Sequence, residues 1–353
     1  MLKRKLLRYI IAGVAAYAAA HGALQAQALA GGAVEKLWLE ARADIEAHPG
    51  AGAAYGVHGR YFNLIAGGRL GQRFGYYLRQ RLKAEPGSID FFDNTDFLHV
   101  SYQASPRLRL RLGKDALAMG GYEYDAPPID VYMPGEYWNN IYCFQLGASA
   151  AYTTADSRHT FTLQAAQSPY VNSQGLDWDA GLLSYHLLWN GTLGEHWQTL
   201  WSASLMERQR GTFVNIAMLG TRATYGGWSL YLDLMHHALA WDDWGRNLGF
   251  VARMDWKVAR GLTLMARGSY ERNGSEVDLQ TAQWLDQLVP AGHAFFKGFV
   301  GAEYRPEGAE SVRLHAYAGM ETDKADGSPA GRRPAFNLGA TWGIDFARLL
   351  QKN

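Results

Sequence analysis

The stretch Ala335–Phe346, AFNLGATWGIDF, decides the fold. Every second position is apolar, and these positions are Phe336, Leu338, Ala340, Trp342, Ile344 and Phe346. The positions between them are small or polar, namely Asn337, Gly339, Thr341, Gly343 and Asp345. Because successive residues of a strand point to opposite sides of a sheet, this pattern predicts a β-strand with one apolar and one polar face.

The same alternation continues through most of the chain from Val34 onward. It predicts strands over Lys36–His48, Gln72–Lys83 and Arg107–Lys114. Further strands are predicted to start near Val57, Thr95, Ile141, His159, Asp177, His196, Thr212, Trp228, Asn247, Leu262, Ala294, Ser311 and Ala335. The total is about 16 strands of roughly 9–13 residues, the length with which a tilted strand crosses a bilayer.

The connections between the predicted strands differ in length in a regular way. Short connections such as Ser105–Pro106 and Gly226–Gly227 follow the even-numbered strands, whereas most odd-numbered strands precede longer polar segments. Short periplasmic turns and long external loops are typical of outer-membrane barrels. We therefore predict an all-β protein, a transmembrane antiparallel β-barrel in the bacterial outer membrane, with the apolar face toward lipid and the polar face toward a water-filled lumen.

Composition agrees with a barrel. The 353 residues include 12 Trp and 20 Tyr, and the formal net charge is +1, which gives no reason to expect nucleic-acid binding. Aromatic residues at the ends of strands are expected to form girdles at the two membrane interfaces. The single cysteine, Cys143, cannot form an internal disulfide.

The first 28 residues are predicted to be a signal peptide, and residues 29–353 the barrel. Basic residues Lys3–Arg8 precede an apolar run over Tyr9–Ala20, and Ala26-Gln27-Ala28 resembles a cleavage site. A membrane anchor helix is the alternative, which the shortness of the apolar run disfavours.

The segment Arg111–Tyr152, RLGKDALAMGGYEYDAPPIDVYMPGEYWNNIYCFQLGASAAY, resembles the phosphate-selective porin O and P family, in the form common in Bacteroidetes-type bacteria. The resemblance is strongest in this segment and diffuse elsewhere. It implies a 16-stranded outer-membrane barrel, usually a homotrimer, that conducts solutes passively. It also implies anion transport along basic residues of the lumen wall, with phosphate as one candidate.

A long acidic segment follows the predicted strand Arg107–Lys114. Residues 115–140 contain no Lys or Arg, and their carboxylates are Asp115, Glu123, Asp125, Asp130 and Glu136. Gly120-Gly121 and Pro127-Pro128 predict irregular backbone, which is tolerated at membrane depth where it lines a water-filled cavity. We predict a constriction loop with carboxylates facing the pore; an external acidic loop in solvent is the alternative.

Arginines occur on the polar side of the neighbouring strands. The predicted pore-lining set is Arg60, Arg73, Arg79, Arg81, Arg107, Arg109 and Arg111. An arginine that faces lipid at mid-depth costs about 2–4 kcal/mol, so this set is expected to face water. Arginines at every second position form a ladder that favours anions; a solvated wall without selectivity is the alternative.

The predicted function is that of a passive diffusion porin for small hydrophilic or anionic solutes. An enzyme is disfavoured because no suitable Ser–His or Asp–His arrangement shares a face, so no catalytic residue is proposed. A metal site or cofactor is not predicted either, since the adjacent His236 and His237 point to opposite faces. The remaining alternative is a plugged barrel that binds a partner in a secretion or glycan-uptake assembly, with a short helix over Val277–Val289. Outer-membrane lipid and lipopolysaccharide are the expected surroundings.

Overall fold

The structure is a computed structural model that describes residues 34–49, 54–82, 92, 94–170, 181–238, 245–274, 288–309, 311–325 and 330–350. The predicted signal peptide lies outside the described residues. So does most of the predicted helix at 277–289, of which only Leu288 and Val289 are described.

Sixteen strands form one closed barrel in which every strand pairs antiparallel with its neighbours in sequence, and the first strand pairs with the last. The strands are β1 Lys36–His48, β2 Ala54–Leu70, β3 Phe74–Arg81, β4 Thr95–Ser105, β5 Leu108–Ala116, β6 Phe144–Thr153, β7 His159–Gln167, β8 Leu183–Leu193, β9 Trp197–Gln209, β10 Thr212–Tyr225, β11 Trp228–Ala238, β12 Asn247–Ala259, β13 Leu262–Asn273, β14 His293–Tyr304, β15 Val312–Ala325 and β16 Gly331–Asp345. The predicted fold class is confirmed.

Strand positions follow the alternation closely. β1 has the predicted bounds, and most other strands start within three residues of the predicted position. β8 starts at Leu183 rather than near Asp177, a residue that lies outside the described part of the chain. β2 starts at Ala54 and contains a bulge opposite Arg42/Ala43 that leaves Arg60 without a partner in the register.

Connection length follows strand parity in most of the barrel. Connections after even strands are as short as residues 106–107, 226–227 and 260–261, whereas residues 117–143 and 274–292 follow odd strands. The connections 49–53 and 326–330, which follow odd strands, are shorter than residues 305–311 after β14. The clearest exception is the two-residue connection 210–211 between β9 and β10. The barrel rim is therefore low at this point on the long-loop side.

The two faces of β16 show how the alternation is used. Leu338 is 55% exposed on the outside of the barrel, and its neighbour Asn337 is 5% exposed on the inside. Asn337 donates to the Asp44 carboxylate of β1 at 3.2 Å. Apolar side chains on the outside meet hydrocarbon, and closure leaves no unpaired strand edge in lipid.

Helices are few and short in the described residues. They are α1 Tyr122–Asp125, a 3-10 turn at Pro128–Asp130, α2 Glu136–Asn140 and α3 Phe346–Leu350. No helix in the part of the chain that the structure describes is long and apolar enough to cross a membrane.

Candidate functional site: the lumen

Residues 117–143, which connect β5 to β6, lie inside the barrel, and we call them the lumen segment. Arg42 of β1 donates to the Val131 carbonyl at 2.8 Å, and Lys297 of β14 donates to the Pro134 carbonyl at 3.1 Å. On the other side of the barrel, Gln164 of β7 accepts from the Ala118 N–H at 2.6 Å. Because polar wall side chains satisfy its backbone, the segment can be irregular at membrane depth.

Two wall carboxylates hold the N-termini of the segment's two helices. Asp233 of β11 accepts the N–H groups of Tyr122 and Glu123 in α1, both at 2.8 Å. Glu271 of β13 accepts the N–H groups of Glu136 and Tyr137 in α2, at 2.7 and 2.8 Å. The first N–H groups of a helix have no partner within it, and these carboxylates supply one.

Three of the predicted pore-facing carboxylates instead pair with cations of the barrel wall. Glu123 forms a buried two-pronged pair with Arg267, at 2.7 and 2.8 Å. Glu136 pairs with Lys297 at 2.6 Å, and Asp130 pairs with Arg313. These pairs attach the lumen segment to β13, β14 and β15, on the side of the barrel away from the predicted arginine ladder.

Gly120 and Gly121 allow the segment to touch the wall. The Gly120 N–H donates to Ser202 Oγ at 2.7 Å, and the Gly121 N–H donates to the Leu200 carbonyl at 3.0 Å. A Cβ atom on Gly120 would collide with the Leu200 carbonyl oxygen, and Gly121 has a φ of 88°, which suits glycine. The irregular backbone predicted for Gly120-Gly121 therefore serves a close approach of loop and wall.

An apolar core lies within the lumen, between the segment and strands β9–β12. Inward-facing Met206, Val214 and Val251 are fully buried there, together with Tyr122 and Tyr137 of the segment. The expectation of a wholly polar inner face is therefore wrong for this side of the barrel. The physical reason is that these strands face packed protein rather than water.

Tyr132 lies among charged and aromatic wall residues. The Arg42 guanidinium lies 4.6 Å from its ring centre, and the His315 ring lies at 4.5 Å. Its hydroxyl donates to Glu303 at 3.1 Å, and the side chain is buried. This side chain fixes the middle of the segment against β1, β14 and β15.

A cavity of about 1130 Å³ remains on the opposite side, between the segment and the inner faces of β2–β5. Five cationic side chains and three carboxylates line it: Arg60, Arg79, Arg81, Arg111 and Lys114, with Asp96, Asp115 and Asp125. Four of the seven predicted pore-lining arginines are thus brought together around this cavity.

Three of those guanidiniums are open to the cavity. The side chains of Arg60, Arg81 and Arg111 are 39%, 40% and 36% exposed. Their partner carboxylates are less exposed: Asp96, which pairs with Arg81 at 2.7 Å, is 4% exposed, Glu46, which pairs with Arg60, is 16% exposed, and Asp115, which pairs with Arg111, is 13% exposed. Asp44, 3.6 Å from Arg60, is fully buried. The three guanidiniums are therefore more open to the cavity than the carboxylates with which they pair.

The remaining predicted arginines lie elsewhere. Arg79 is buried between Asp96 and the ring of Phe97, and only its edge contributes to the cavity. Arg109 is exposed on the inward side of β5, two residues nearer the short-turn end than Arg111. Arg107 lies in the β4–β5 turn, and Arg73 lies in the β2–β3 turn with its guanidinium 3.5 Å from the Tyr102 hydroxyl.

Two of the five predicted acidic residues line the cavity. Asp115 is on β5 rather than in the loop. On this strand, Arg111 Nη1 lies 3.1 Å from Asp115 Oδ2. Asp125, at the end of α1, is exposed to the cavity. Desolvation inside the barrel raises the pKa of the Asp125 carboxyl, and Arg222 opposes this shift.

Sequence reasoning missed the cations that hold the lumen segment. Arg42, Arg267 and Arg313 face inward and are nearly buried. Arg42 and Arg267 lie at mid-strand between small neighbours, which could have marked them as inward-facing by the same energetic rule that selected the ladder. Arg313 lies at the start of β15. The described residues contain no group of three metal-binding side chains.

Solved structures with the same architecture are outer-membrane proteins. The outer-membrane channel DcaP of Acinetobacter baumannii matches with a TM-score of 0.62 at 9% identity, covering 87% of this chain and 96% of that one. The anion-selective porin from Comamonas acidovorans matches with a TM-score of 0.61 at 12% identity, covering 87% and 98%. OmpT of Vibrio cholerae in its trimer form matches with a TM-score of 0.55 at 14% identity, covering 89% and 99%.

A closed 16-stranded barrel with a connection folded into its lumen and a polar cavity beside it is the architecture of a bacterial outer-membrane porin, a channel and not an enzyme. The model of the phosphate-selective porin O and P family matches residues 49–270, more than half of the chain, and the chain belongs to that family. The Bacteroidetes-type form stays a prediction. No curated protein matches the sequence.

Proposed function

We propose that small hydrophilic solutes, and anions in preference to cations, cross this porin through the cavity between the lumen segment and the β2–β5 wall. The segment acts as the constriction. The observation that carries the proposal is that Arg60, Arg81 and Arg111 are 36–40% exposed toward the cavity, whereas their partner carboxylates Asp44, Glu46, Asp96 and Asp115 are at most 16% exposed. Positive side chains along a pore attract anions and repel cations.

The path continues along the polar face of β5. Arg111 and Arg109 are separated by two residues, or about 7 Å along a strand, and Arg107 follows in the turn at the short-turn end. An anion that leaves the cavity therefore meets a second and a third guanidinium. Such spacing supports movement between weak sites rather than capture at one strong site.

The test is a planar-bilayer recording of the purified folded protein in a KCl gradient. Stable ohmic steps with a reversal potential on the chloride side are expected. Inorganic phosphate, the solute in the family's description, should lower the chloride current at millimolar concentration, because its second charge favours the guanidiniums. A reversal potential of zero or on the potassium side contradicts the proposal.

A plugged, partner-binding barrel is the second candidate. The apolar core between the lumen segment and β9–β12 favours it, since that side of the lumen is filled. The cavity beside β2–β5 favours conduction. If the folded protein inserts into the bilayer and no conductance is measured, the barrel is plugged.

We also propose a homotrimer, since the similar OmpT of Vibrio cholerae was solved in a trimer form. The apolar outer face of the barrel permits it, because subunits packed in a membrane can bury part of that face against one another. Native mass spectrometry in detergent is the test. A monomer at every detergent concentration contradicts the trimer.

A further inference from the structure

The cavity is lined by aromatic side chains as well as by cations. Phe97 of β4 and Phe144 of β6 lie on the wall, and Trp138 and Tyr142 lie on the lumen segment. Tyr142 is 53% exposed although it is outside the strands that meet lipid. The interface girdles expected from the sequence do not account for this group, since its members face the lumen.

Two of these rings, Phe97 and Phe144, are in direct contact with guanidiniums. Arg79 Cζ lies 4.6 Å from the Phe97 ring centre and 5.1 Å from the Phe144 ring centre. Arg81 Cζ lies 5.8 Å from the Phe144 ring centre, and the two phenyl rings meet edge to face at 5.1 Å. A positive edge and an apolar ring surface therefore adjoin in one wall of the cavity.

A hydrated inorganic anion can contact the guanidiniums of such a surface but makes no favourable contact with its aromatic rings. Chloride or phosphate gains from the guanidiniums but gains nothing from a ring. A solute that has its own aromatic ring can place its charge on a guanidinium and its ring against an aromatic side chain, at centroid distances of about 4.5–7 Å. Small-molecule sites commonly combine apolar and aromatic lining with a few charged groups.

We infer that the cavity selects aryl carboxylates, with the carboxylate at Arg81 or Arg60 and the ring against Trp138, Tyr142 and the exposed edge of Phe144. This inference rests on the proposed anion pathway and names its preferred solute class. No step of the transport involves chemistry, since the solute only passes from one contact to the next.

The test compares three probes by their block of the chloride current through single channels. Benzoate has the ring and the charge, acetate has the charge alone, and benzamide has the ring alone. Benzoate is expected to half-block at a concentration about 2- to 12-fold below that of acetate, the range for one aromatic contact. Benzamide is expected to block more weakly than benzoate.

A variant locates the aromatic contact. The double substitution Trp138→Leu and Tyr142→Leu should bring the benzoate-to-acetate ratio close to one. The ratio is the readout because a general widening of the gap affects both probes alike. The matched control is Trp197→Leu, at the start of β9 and distant from the cavity lining, which should keep the full ratio.

Each outcome is decisive. Equal block by benzoate and acetate in a channel that still prefers chloride over potassium overturns the aryl-carboxylate inference and leaves the anion pathway intact. Equal block by benzamide and benzoate also overturns it, in favour of neutral-ring binding such as sugar stacking. A high ratio that survives the double substitution overturns the proposed position of the ring. A channel without chloride preference contradicts the anion pathway itself.

Discussion

Arg267 of β13 and Glu123 of α1 form a two-pronged ion pair inside the barrel, with Nε–Oε2 at 2.7 Å and Nη2–Oε1 at 2.8 Å. Both side chains are buried, and Glu123 Oε1 also accepts the Gly135 N–H at 2.9 Å. One carboxylate thus connects the barrel wall to both halves of the lumen segment. Buried charges are retained only where each lone pair and proton has such a partner.

Removal of this carboxylate should destabilise the porin and loosen its segment. Glu123→Gln leaves Arg267 as a buried cation without its countercharge, which should lower the free energy of unfolding by about 3–5 kcal/mol. The measurement is urea unfolding in lipid vesicles. The control is Glu307→Gln, whose partner Arg260 is 86% exposed, with an expected effect of at most about 1 kcal/mol. Equal effects of the two substitutions would contradict the role of the buried pair.

Gly120→Ala should displace the lumen segment. The added methyl group meets the Leu200 carbonyl, which is backbone and cannot turn away, so a cost of about 1–3 kcal/mol is expected. The control is Gly268→Ala on β13, where a Cβ atom has open space. Gly120→Ala should change both the stability and the single-channel conductance. Gly268→Ala should change neither. A conductance that stays the same in Gly120→Ala would show that the contact does not set the width of the gap.

Arg81→Gln should reduce anion preference. The substitution removes one of the three exposed guanidiniums. Asp96, which pairs with both Arg79 and Arg81, then keeps Arg79 as a partner. The reversal potential in a KCl gradient should move toward the potassium side, and Arg109→Glu should move it further in the same direction. Arg260→Gln, in the β12–β13 turn away from the cavity, is the control and should leave it in place. If Arg81→Gln behaves like this control, the cavity is not the conduction path.

Acidification should increase anion preference. Because the pKa of Asp125 is raised, this carboxyl takes up its proton at a higher pH than an ordinary aspartate, and the cavity then loses a negative charge. Reversal potentials measured from neutral to acidic pH should move toward the chloride side. Asp125→Asn should show the acidic value already at neutral pH, with a smaller remaining pH dependence. A pH profile identical in the two proteins would exclude Asp125 as its source.

Cys143 offers a labelling test of the cavity. Burial raises the pKa of its thiol to about 12, so little thiolate is present at neutral pH. Maleimide should therefore react slowly with the folded porin and rapidly after denaturation, and a completed reaction should reduce conductance, since Cys143 lines the cavity. The control is Glu195→Cys in a Cys143→Ser background, an exposed turn position that should label rapidly without a loss of current. Fast labelling of folded Cys143 at neutral pH would contradict the raised pKa of its thiol.

Much of the barrel was predictable because the deciding information is local. Alternation over Ala335–Phe346 or Lys36–His48 sets which side chains face lipid, and the register follows once each strand pairs with its neighbour in sequence. The positions of Arg60, Arg81 and Arg111 around one cavity follow from the same parity, since they lie on β2, β3 and β5 in one part of the barrel. The resemblance to the family was drawn from the contiguous segment Arg111–Tyr152, and the family model matches the wider range 49–270.

The position of the acidic segment inside the barrel, and the partners of its carboxylates, were not predictable in the same way. The sequence by itself determined that an acidic, irregular segment follows the fifth strand, although its predicted start at Asp115 is two residues too early because β5 extends to Ala116. Only the tertiary structure decided that Glu123, Asp130 and Glu136 neutralise Arg267, Arg313 and Lys297, and that Asp125 alone of the loop carboxylates lines the cavity. The physical reason is that strand alternation is a property of neighbouring residues, whereas a buried ion pair joins groups more than a hundred residues apart and depends on how the closed barrel holds them in space.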